Sequence, residues 1–214
     1  MSSPNVNTAA AHPPSKTALL LLDYHNHIVD MISPPEQKVK VLSAASALLK
    51  AARDNSITIA HCLIDKSAEP VETSKLKQRW EQSIKLVIAS APEKFDEHAD
   101  LAPLPAGPTA ANEFTVTKVV GCVSAMKTGG FVSTLREKLG VQSLVVCGVS
   151  SSGAVLSTAR DAADLGFVTT VVEDACWDPK PDVHTAVLRD ILPMTAYTTD
   201  LKGGLDLLKG AAGV

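Results

Sequence analysis

The sequence predicts an α/β fold, in which helices cover both faces of a mainly parallel, doubly wound sheet to give a three-layer α/β/α sandwich. Short apolar runs alternate with segments of helical periodicity along the chain. Most of these runs are continuously apolar, which is typical of parallel strands that are buried on both faces. The length of 214 residues is that of one ordinary domain with enough buried surface for its own core.

Six runs are predicted to be strands, the last with the weakest pattern: residues 18–23, 57–63, 114–118, 143–149, 167–173 and 194–198. Between them, apolar residues recur every three or four positions, as on one face of a helix. The predicted helices are residues 35–54, 74–91, 130–139, 153–165, 182–192 and 200–209. Residues 65–112 contain five prolines and interrupt the alternation. We expect this insertion to form a lid or pocket wall at the carboxyl ends of the strands.

Composition and charge exclude several classes of protein. Hydrophobic residues make up 45% of the chain, charged residues 20%, and the formal net charge is -3, as in soluble globular proteins. The longest aliphatic run, residues 18–22, is far shorter than the ~20 residues of a membrane-spanning helix. The chain has no basic stripe and few aromatic residues, so we predict that it binds neither membranes nor nucleic acid.

The cysteines and the N-terminus indicate the cellular compartment. The four cysteines lie far apart without a CxxC pair, and three stand in or beside apolar runs, as buried free thiols do. The first 16 residues have neither the apolar stretch of a secretory signal nor the arginines of a transit peptide. The sequence therefore predicts a cytoplasmic protein with a flexible polar tail over residues 1–16 and one domain over residues 17–214.

Polar residues that end apolar strands are the first candidates for a site, because ligands of open parallel sheets bind outside the carboxyl ends of the strands. Asp23 ends the first strand and Lys118 ends the third. Taken alone, Asp23 could cap a turn and Lys118 could be solvated. Together at the mouth of a pocket, they would hold each other's charge and offer a proton-transfer group and a cation to an anionic substrate.

The turn after the fourth strand is rich in serine and glycine and leads into a helix. Unpaired peptide N–H groups at a helix start can hold an anion. The candidate substrate-binding residues are Val149, Ser150, Ser151, Ser152 and Gly153. The turn matches neither the dinucleotide-binding fingerprint nor the P-loop, and it differs from the G-x-S-x-G motif at Ser152. Ser151 or Ser152 could instead serve only as a helix cap.

Two further side chains are candidates for contact with the substrate. His25 lies two positions after Asp23, and Arg79 in the insertion could clamp a carboxylate. Its neighbour Trp80 shares an apolar stripe with other insertion residues, which favours a place in the core. The histidines lack further ligands at metal-binding spacing after the second strand. We therefore predict no metal and no other cofactor.

Together, these motifs resemble the isochorismatase-like hydrolases, a superfamily that includes isochorismatases, nicotinamidases and N-carbamoyl amidases. The matching segments are Ala-Leu-Leu-Leu-Leu-Asp at 18–23, Val-Thr-Lys at 116–118, Leu-Val-Val-Cys-Gly-Val at 144–149, Ser-Thr-Ala-Arg-Asp-Ala-Ala-Asp-Leu-Gly at 157–166 and Val-Val-Glu-Asp-Ala-Cys-Trp-Asp at 171–178. The resemblance covers about residues 17–199. It implies a six-stranded, mainly parallel Rossmann-like sheet and a homo-oligomer, either a dimer or a tetramer.

The sequence departs from this family at the nucleophile. In the amidase branch, the turn after the fourth strand carries the catalytic Cys, and an ungapped alignment places Ala154 there. A methyl group cannot attack a carbonyl. The family's usual Gln two residues after the Asp is His25 here, and the amidase metal ligands are absent. The remaining pair, Asp23 and Lys118, is the minimal set of the isochorismatase branch.

The resemblance therefore implies a metal-independent hydrolase of a small anionic metabolite, as in the vinyl-ether hydrolysis of isochorismate. Asp23 would protonate the enol carbon, Lys118 would bind the substrate anion, and peptide N–H groups of residues 149–154 would hold a carboxylate. The resemblance also implies a cis peptide bond between Val149 and Ser150.

Two alternatives remain open at the level of sequence. The first is a lyase, an isomerase or a catalytically silent binding protein that uses the same pocket, and it is motivated by Ala154. The second is a serine hydrolase in which Ser151 or Ser152 is the nucleophile and His184 is the base. In that alternative the carboxylate that orients the base would be Asp174 or Asp178, which gives the chain order Ser, Asp, His.

Overall fold

Among the residues described by the computed structural model, 6–105 and 112–210, six strands form one parallel sheet. The strands are β1 Thr17–Leu22, β2 Thr58–Ile64, β3 Glu113–Lys118, β4 Ser143–Val149, β5 Val168–Trp177 and β6 Tyr197–Thr199. Their order across the sheet is β3-β2-β1-β4-β5-β6, and every neighbouring pair is parallel. The predicted fold class is confirmed. Residues 1–5, 106–111 and 211–214, which belong to the predicted tail, insertion and C-terminal end, lie outside the described residues.

Helices occupy the connections between the strands. We number them α1 Asn26–Val29, α2 Pro35–Asp54, α3 76–90, α4 131–138, α5 151–164, α6 181–191 and α7 Leu201–Lys209. Wider π-type turns lie within four of these helices, at Trp80–Ile84, Thr134–Lys138, Ser151–Val155 and Val187–Ile191. Single 3₁₀ turns occur at Ala9–Ala11, Pro14–Lys16, Pro92–Phe95, Ala99–Leu101, Ala125–Lys127 and Leu192–Met194. None of the helices in the described ranges is long and apolar enough to cross a bilayer.

The core is built around β1. Every residue of β1 is buried. Two sets of elements cover the sheet: α2 packs with α7, and α5 packs with the turn Ala125–Lys127. Complete burial of a leucine side chain contributes about 2 kcal/mol. The four successive leucines of β1 therefore anchor the central strand, and through it the residue that follows, Asp23.

The chain crosses from one half of the sheet to the other between β3 and β4, so the switch point lies between β1 and β4. Ligands of doubly wound sheets bind in the crevice outside the carboxyl ends of the strands at such a point. The ends of β1, β3 and β4 carry Asp23, Lys118 and the turn 149–154 respectively. All the strands are parallel, and these three elements therefore lie at one edge of the sheet.

The described part of the predicted tail contacts the rest of the domain at several points, although most of its residues are exposed or half-buried. The Tyr197 hydroxyl donates to the carbonyl oxygen of Asn7 at 2.8 Å, and the Gln142 amide donates to that of Lys16 at 2.8 Å. The flexibility of the tail stays a prediction.

Described residues of the insertion lie beside the carboxyl ends of the strands, where the Asp65 N–H donates to the Lys118 carbonyl at 2.9 Å. Its role as a lid or pocket wall stays a prediction. Its first part forms α3, where Trp80 is buried and the other residues of the predicted stripe, Leu76 and Ile84, are half-buried. Its second part, residues 92–101, runs beside the residues that follow β1. There the His98 amide donates to the Tyr24 carbonyl at 2.9 Å. This second part therefore lies beside Asp23.

Candidate active site

Asp23 occupies a strained turn directly after β1. Its φ is 56°, a left-handed conformation that Asp tolerates better than most residues but that is uncommon outside glycine. Its N–H donates to the Cys62 carbonyl at 2.9 Å, and its own carbonyl accepts from the His25 N–H at 2.7 Å. Backbone strain of this kind is found at functional sites where the surrounding structure imposes it. The turn directs the Asp23 carboxylate away from the strand.

Lys118 reaches that carboxylate from the end of β3. Its ammonium donates to Oδ1 of Asp23 at 2.7 Å and to Oδ2 at 2.6 Å. The two strands are separated by β2, a distance of about 10 Å at ordinary strand spacing, so the lysine side chain spans the intervening strand. The side chains are 3% and 9% exposed for Lys118 and Asp23. The proximity predicted from the two strand ends is therefore present as a buried ion pair.

His25 is held entirely by backbone groups. Its Nδ1 lies 2.7 Å from the Phe95 carbonyl oxygen and its Nε2 accepts from the Ile64 N–H at 3.0 Å. Nε2 must therefore be unprotonated and Nδ1 must carry the hydrogen. Burial lowers the pKa of His25 and outweighs the attraction of Asp23, whose Oδ1 lies 3.8 Å from Nε2. The ring is fully buried with both nitrogens engaged, so it serves here as a link between β2 and the insertion.

The turn after β4 is brought close to Asp23 by Gly148. A Cβ at Gly148 would lie 2.5 Å from both Cβ and the carbonyl oxygen of Leu22, so only glycine permits this approach of the two strands. The peptide bond between Val149 and Ser150 is cis, as the resemblance implied. Val149 is fully buried, and Ser150 is half-buried.

Ala154 lies in the first turn of α5 and is 3% exposed. Beside it, a Cβ at Gly153 would lie 2.9 Å from Oγ of Ser150 and 3.8 Å from Val123. Val123 belongs to the loop that follows Lys118. The start of α5 and this loop are therefore in contact, and both lie at the carboxyl edge of the sheet.

The anion cradle predicted at the start of α5 is partly used by the protein itself. The Ser152 N–H donates to Oδ2 of Asp178 at 2.9 Å. The N–H groups of Gly153 and Val155 both donate to the Ser150 carbonyl at 3.2 Å. Two of the amides expected to hold a substrate carboxylate, those of Ser152 and Gly153, therefore have internal acceptors, as does the amide of Val155 just after them. The amides of Ser151 and Ala154 are the remaining candidates in this turn.

Only part of the side-chain arrangement that a serine hydrolase requires is present. Oγ of Ser151 lies 2.8 Å from Nδ1 of His184, but Ser151 is fully buried. The Asp178 carboxylate accepts from the Ser152 hydroxyl at 2.6 Å, and that of Asp174 accepts from the Leu201 N–H. Neither carboxylate accepts a hydrogen bond from His184. The sequence order Ser, Asp, His is thus not assembled as a triad.

None of the cysteines that belong to the core offers a reactive thiol. Burial raises the pKa of Cys62 and Cys176 well above the usual range and that of Cys147 to about 12. A thiol is nucleophilic as the thiolate. The fourth, Cys122, is half-buried in the loop after β3, where its Sγ lies 3.5 Å from the Ser124 carbonyl.

A cluster of buried charges that the sequence analysis missed lies on β2 near the site. His61 is fully buried, with Nδ1 2.8 Å from Oε2 of Glu97 and Nε2 3.0 Å from Oε1 of Glu113. Arg53 also pairs with Glu113 at 2.6 Å. The cluster ties the insertion to the sheet. A histidine in the middle of an apolar strand was the available signal, but its partners lie 36 and 52 residues away in sequence.

Arg79 lies on the exposed face of α3, and its side chain has no hydrogen bond or ion pair with any described residue. Its role as a carboxylate clamp stays a prediction. Within residues 6–105 and 112–210, no three His, Cys, Asp or Glu side chains converge as metal ligands would. The arrangement that the structure does show is a buried ion pair near the first turn of a helix.

The chain matches the isochorismatase domain family over residues 17–203. It is 25% identical over 196 residues to an uncharacterized isochorismatase family protein, YecD, of Escherichia coli O157:H7, covering 90% of this chain and 96% of that protein. It is 26% identical over 201 residues to the uncharacterized family protein YwoC of Bacillus subtilis, covering 91% and 95% respectively.

Solved structures agree with this assignment at the level of fold. A cysteine hydrolase from Pseudomonas syringae superposes with a TM-score of 0.78 at 17% identity, covering 100% of both chains. An isochorismatase family protein from Burkholderia thailandensis gives 0.72 at 21% identity, covering 91% of this chain and 96% of that one. With the family match over most of its length and the shared sheet, this chain belongs to the isochorismatase family of hydrolases.

Proposed function

We propose that this hydrolase cleaves a small anionic metabolite by acid–base catalysis between Asp23 and Lys118, without a covalent enzyme intermediate, in a vinyl-ether hydrolysis of the isochorismate type. The observation that carries the proposal is the buried ion pair of Asp23 and Lys118 at the sheet edge. Ala154 stands where the amidase branch has its nucleophile. The proposed enzyme needs no metal or other cofactor and is a homo-oligomer.

The first step is exchange of partners at Lys118. In the free enzyme the ammonium holds both oxygens of Asp23. A substrate carboxylate that binds Lys118 would release Asp23 and place a negative charge beside it. Both changes favour the protonated carboxyl over the carboxylate. A neighbouring cation favours the carboxylate form, whereas a general acid must be protonated. The substrate removes this conflict because it takes over the contact with Lys118.

The second step is protonation of the enol carbon. The proton of Asp23 passes to the terminal CH₂ carbon, and the C–O unit becomes an oxocarbenium ion. Water adds to the oxygen-bearing carbon of this ion and returns a proton to the Asp23 carboxylate. The hemiketal that results releases pyruvate and the ring alcohol. No bond forms between enzyme and substrate, so the absence of a nucleophile at residue 154 is compatible with every step.

The proposal is tested by incubating the wild-type protein with isochorismate and following pyruvate. We expect pyruvate from the wild type and a loss of about 10² to 10⁴ in kcat for Asp23→Asn, the usual contribution of general acid–base catalysis. Asp96→Asn is the matched control, because Asp96 is an exposed carboxylate in the nearby insertion that pairs only with Lys66 at the surface. Normal turnover by Asp23→Asn contradicts the proposal.

A panel of small amides, with release of ammonia as the readout, separates this proposal from thiol-dependent hydrolysis. We expect no ammonia, because Ala154 stands at the position of the amidase nucleophile and the three buried cysteines are not available as thiolates. A second candidate function, a lyase, isomerase or binding protein on the same pocket, is favoured by Ala154 alone. It is supported instead if a ligand is retained from cell extract and recovered either unchanged or rearranged without the addition of water.

A further inference from the structure

The turn that carries Ala154 is held from one side by the residues that follow β5. β4 and β5 are in register at Val149 and Trp177, so the residue that follows β5, Asp178, lies alongside the turn. Asp178 is 4% exposed. A carboxylate at such depth is stable only where hydrogen bonds or charges satisfy it.

Asp178 is satisfied almost entirely by the start of α5. Its Oδ2 accepts from the Ser152 N–H at 2.9 Å and from the Ser152 hydroxyl at 2.6 Å. Its Oδ1 accepts from the Lys180 N–H at 3.1 Å. Among the described residues, no lysine or arginine forms an ion pair with it. The negative charge is therefore stabilised by a hydroxyl and by two peptide N–H groups, one at a helix start and one in a turn.

A second pair joins the same two segments. Oγ of Ser151 lies 2.8 Å from Nδ1 of His184, which stands on α6. Consecutive serines of the turn 149–154 are thus fastened to the segment 177–184 at two points. On the opposite side of the turn, Gly153 faces Val123 in the loop after Lys118, at 3.8 Å from the position that a Cβ of residue 153 would take.

We propose that Asp178 is a positioning residue of the active site, which fixes the first turn of α5 opposite the Asp23–Lys118 pair by binding both polar groups of Ser152. The inference rests on the proposed function and deepens it. Asp178 contacts no reacting group and acts through Ser152. Because Asp178 also occupies the Ser152 amide, a substrate carboxylate is bound by Lys118 and the amides of Ser151 and Ala154, and not by that of Ser152.

The variant that tests the proposal is Asp178→Asn, which keeps the shape of the side chain but removes its charge. A hydrogen bond to a charged group contributes more than a neutral one, so we expect the Ser152 amide proton to exchange with solvent about tenfold faster or more. We expect kcat for pyruvate release to fall roughly tenfold to hundredfold while KM changes less than about threefold. We expect kcat to change more than KM because the turn is misplaced while Lys118 is still present to bind the anion.

Two further variants keep the result interpretable. Asp182→Asn is the matched control, because Asp182 is an exposed aspartate in the first turn of α6. Ser152→Ala removes only the hydroxyl partner and should give a smaller loss of kcat of the same kind. If Asp178→Asn does not fold, Ser152→Ala decides the proposal by the same two readouts. Kinetics and amide exchange identical to those of Asp182→Asn overturn it.

Failure of the proposed function gives a different result. Asp23→Asn should leave the Ser152 amide protected from exchange with solvent, because Asp23 forms no hydrogen bond with the turn 149–154. If the wild type releases no pyruvate, vinyl-ether hydrolysis is wrong while amide exchange still tests whether Asp178 holds the turn. If the wild type is active and Asp178→Asn is equally active, the hydrolysis stands and only the positioning role is wrong.

Discussion

Lys118 crosses β2 to donate to both carboxylate oxygens of Asp23, at 2.7 and 2.6 Å. The ion pair therefore joins the ends of β1 and β3 as well as forming the proposed acid–base couple. Both side chains are nearly excluded from water, so each charge depends on the other. The pair is a structural element, and under the proposed function it is also the reactive one.

Removal of one partner of this pair should cost more stability than removal of both. Lys118→Met leaves the Asp23 carboxylate buried without its cation, which costs about 3–5 kcal/mol in comparable buried pairs. The double variant with Asp23→Asn should recover part of that loss. Urea unfolding of the four proteins measures the coupling. Strictly additive losses would show that the two groups do not depend on each other.

Ala154→Gly should leave the chemistry unchanged. The account requires no nucleophile at this position, so kcat should stay within about threefold of the wild type. Glycine in a helix costs about 1 kcal/mol of stability, which a thermal unfolding curve will show. A loss of about a hundredfold or more in kcat, with the protein folded, would contradict a passive role for this residue.

Stability should fall as the pH is lowered below about 6.5, in part through His25. The folded-state pKa of His25 is lowered by burial, so between that value and the unfolded pKa of about 6.5 the unfolded chain binds more protons. The stabilising contribution is therefore full above about pH 6.5 and is lost as the pH falls through the lowered pKa. Urea unfolding from about pH 7.5 to about pH 5 measures the slope.

The control for this pH dependence is His25→Gln, whose amide can donate to the Phe95 carbonyl and accept from the Ile64 N–H. Glutamine does not titrate, so its curve should be flatter than that of the wild type. The pKa of His184 is also lowered by burial, and its contribution has the same sign. The residual slope should therefore decrease again in the double variant with His184→Gln. Parallel curves for the wild type and His25→Gln would exclude His25 as a source of the slope.

His61→Leu should be strongly destabilising. It leaves Glu97 buried without its partner, while Glu113 keeps Arg53. The cost of such an uncompensated charge is about 3–5 kcal/mol. Burial already raises the pKa of Glu97, so the loss should be smaller at low pH, where the carboxyl is neutral. Equilibrium unfolding at two pH values is the measurement. A double variant with Glu97→Leu as unstable as His61→Leu alone would contradict this explanation.

The sequence predicted those parts of the site that depend on strand ends. In a parallel sheet, the residues that end apolar strands lie at one edge, and for this reason the sequence pattern alone is enough to expect Asp23 and Lys118 together. The close approach at Gly148 and the turn after β4 belong to the same edge. The direct contact between the two side chains does not follow from the pattern, because it crosses an intervening strand.

Contacts made by long-range side-chain pairing could not be predicted in this way. His61 and Glu97 come from a strand and from the insertion, with no periodic pattern that relates them. Likewise, Asp178 occupies an amide that the turn alone suggested was open to substrate. His25 links two backbone segments that the sequence did not relate, and its contact with the substrate stays a prediction. In each case the partner came from a distant connection between strands.

The most direct test of the central claim is hydrolysis of isochorismate in water enriched in heavy oxygen, H₂¹⁸O, with the pyruvate reduced at once to lactate so that its carbonyl oxygen cannot exchange. Protonation by Asp23 followed by capture of the oxocarbenium ion places the label in pyruvate and leaves the ring alcohol unlabelled. The account predicts this pattern for the wild type and its loss in Asp23→Asn. Label in the ring alcohol, or label in pyruvate at an undiminished rate from Asp23→Asn, would contradict it.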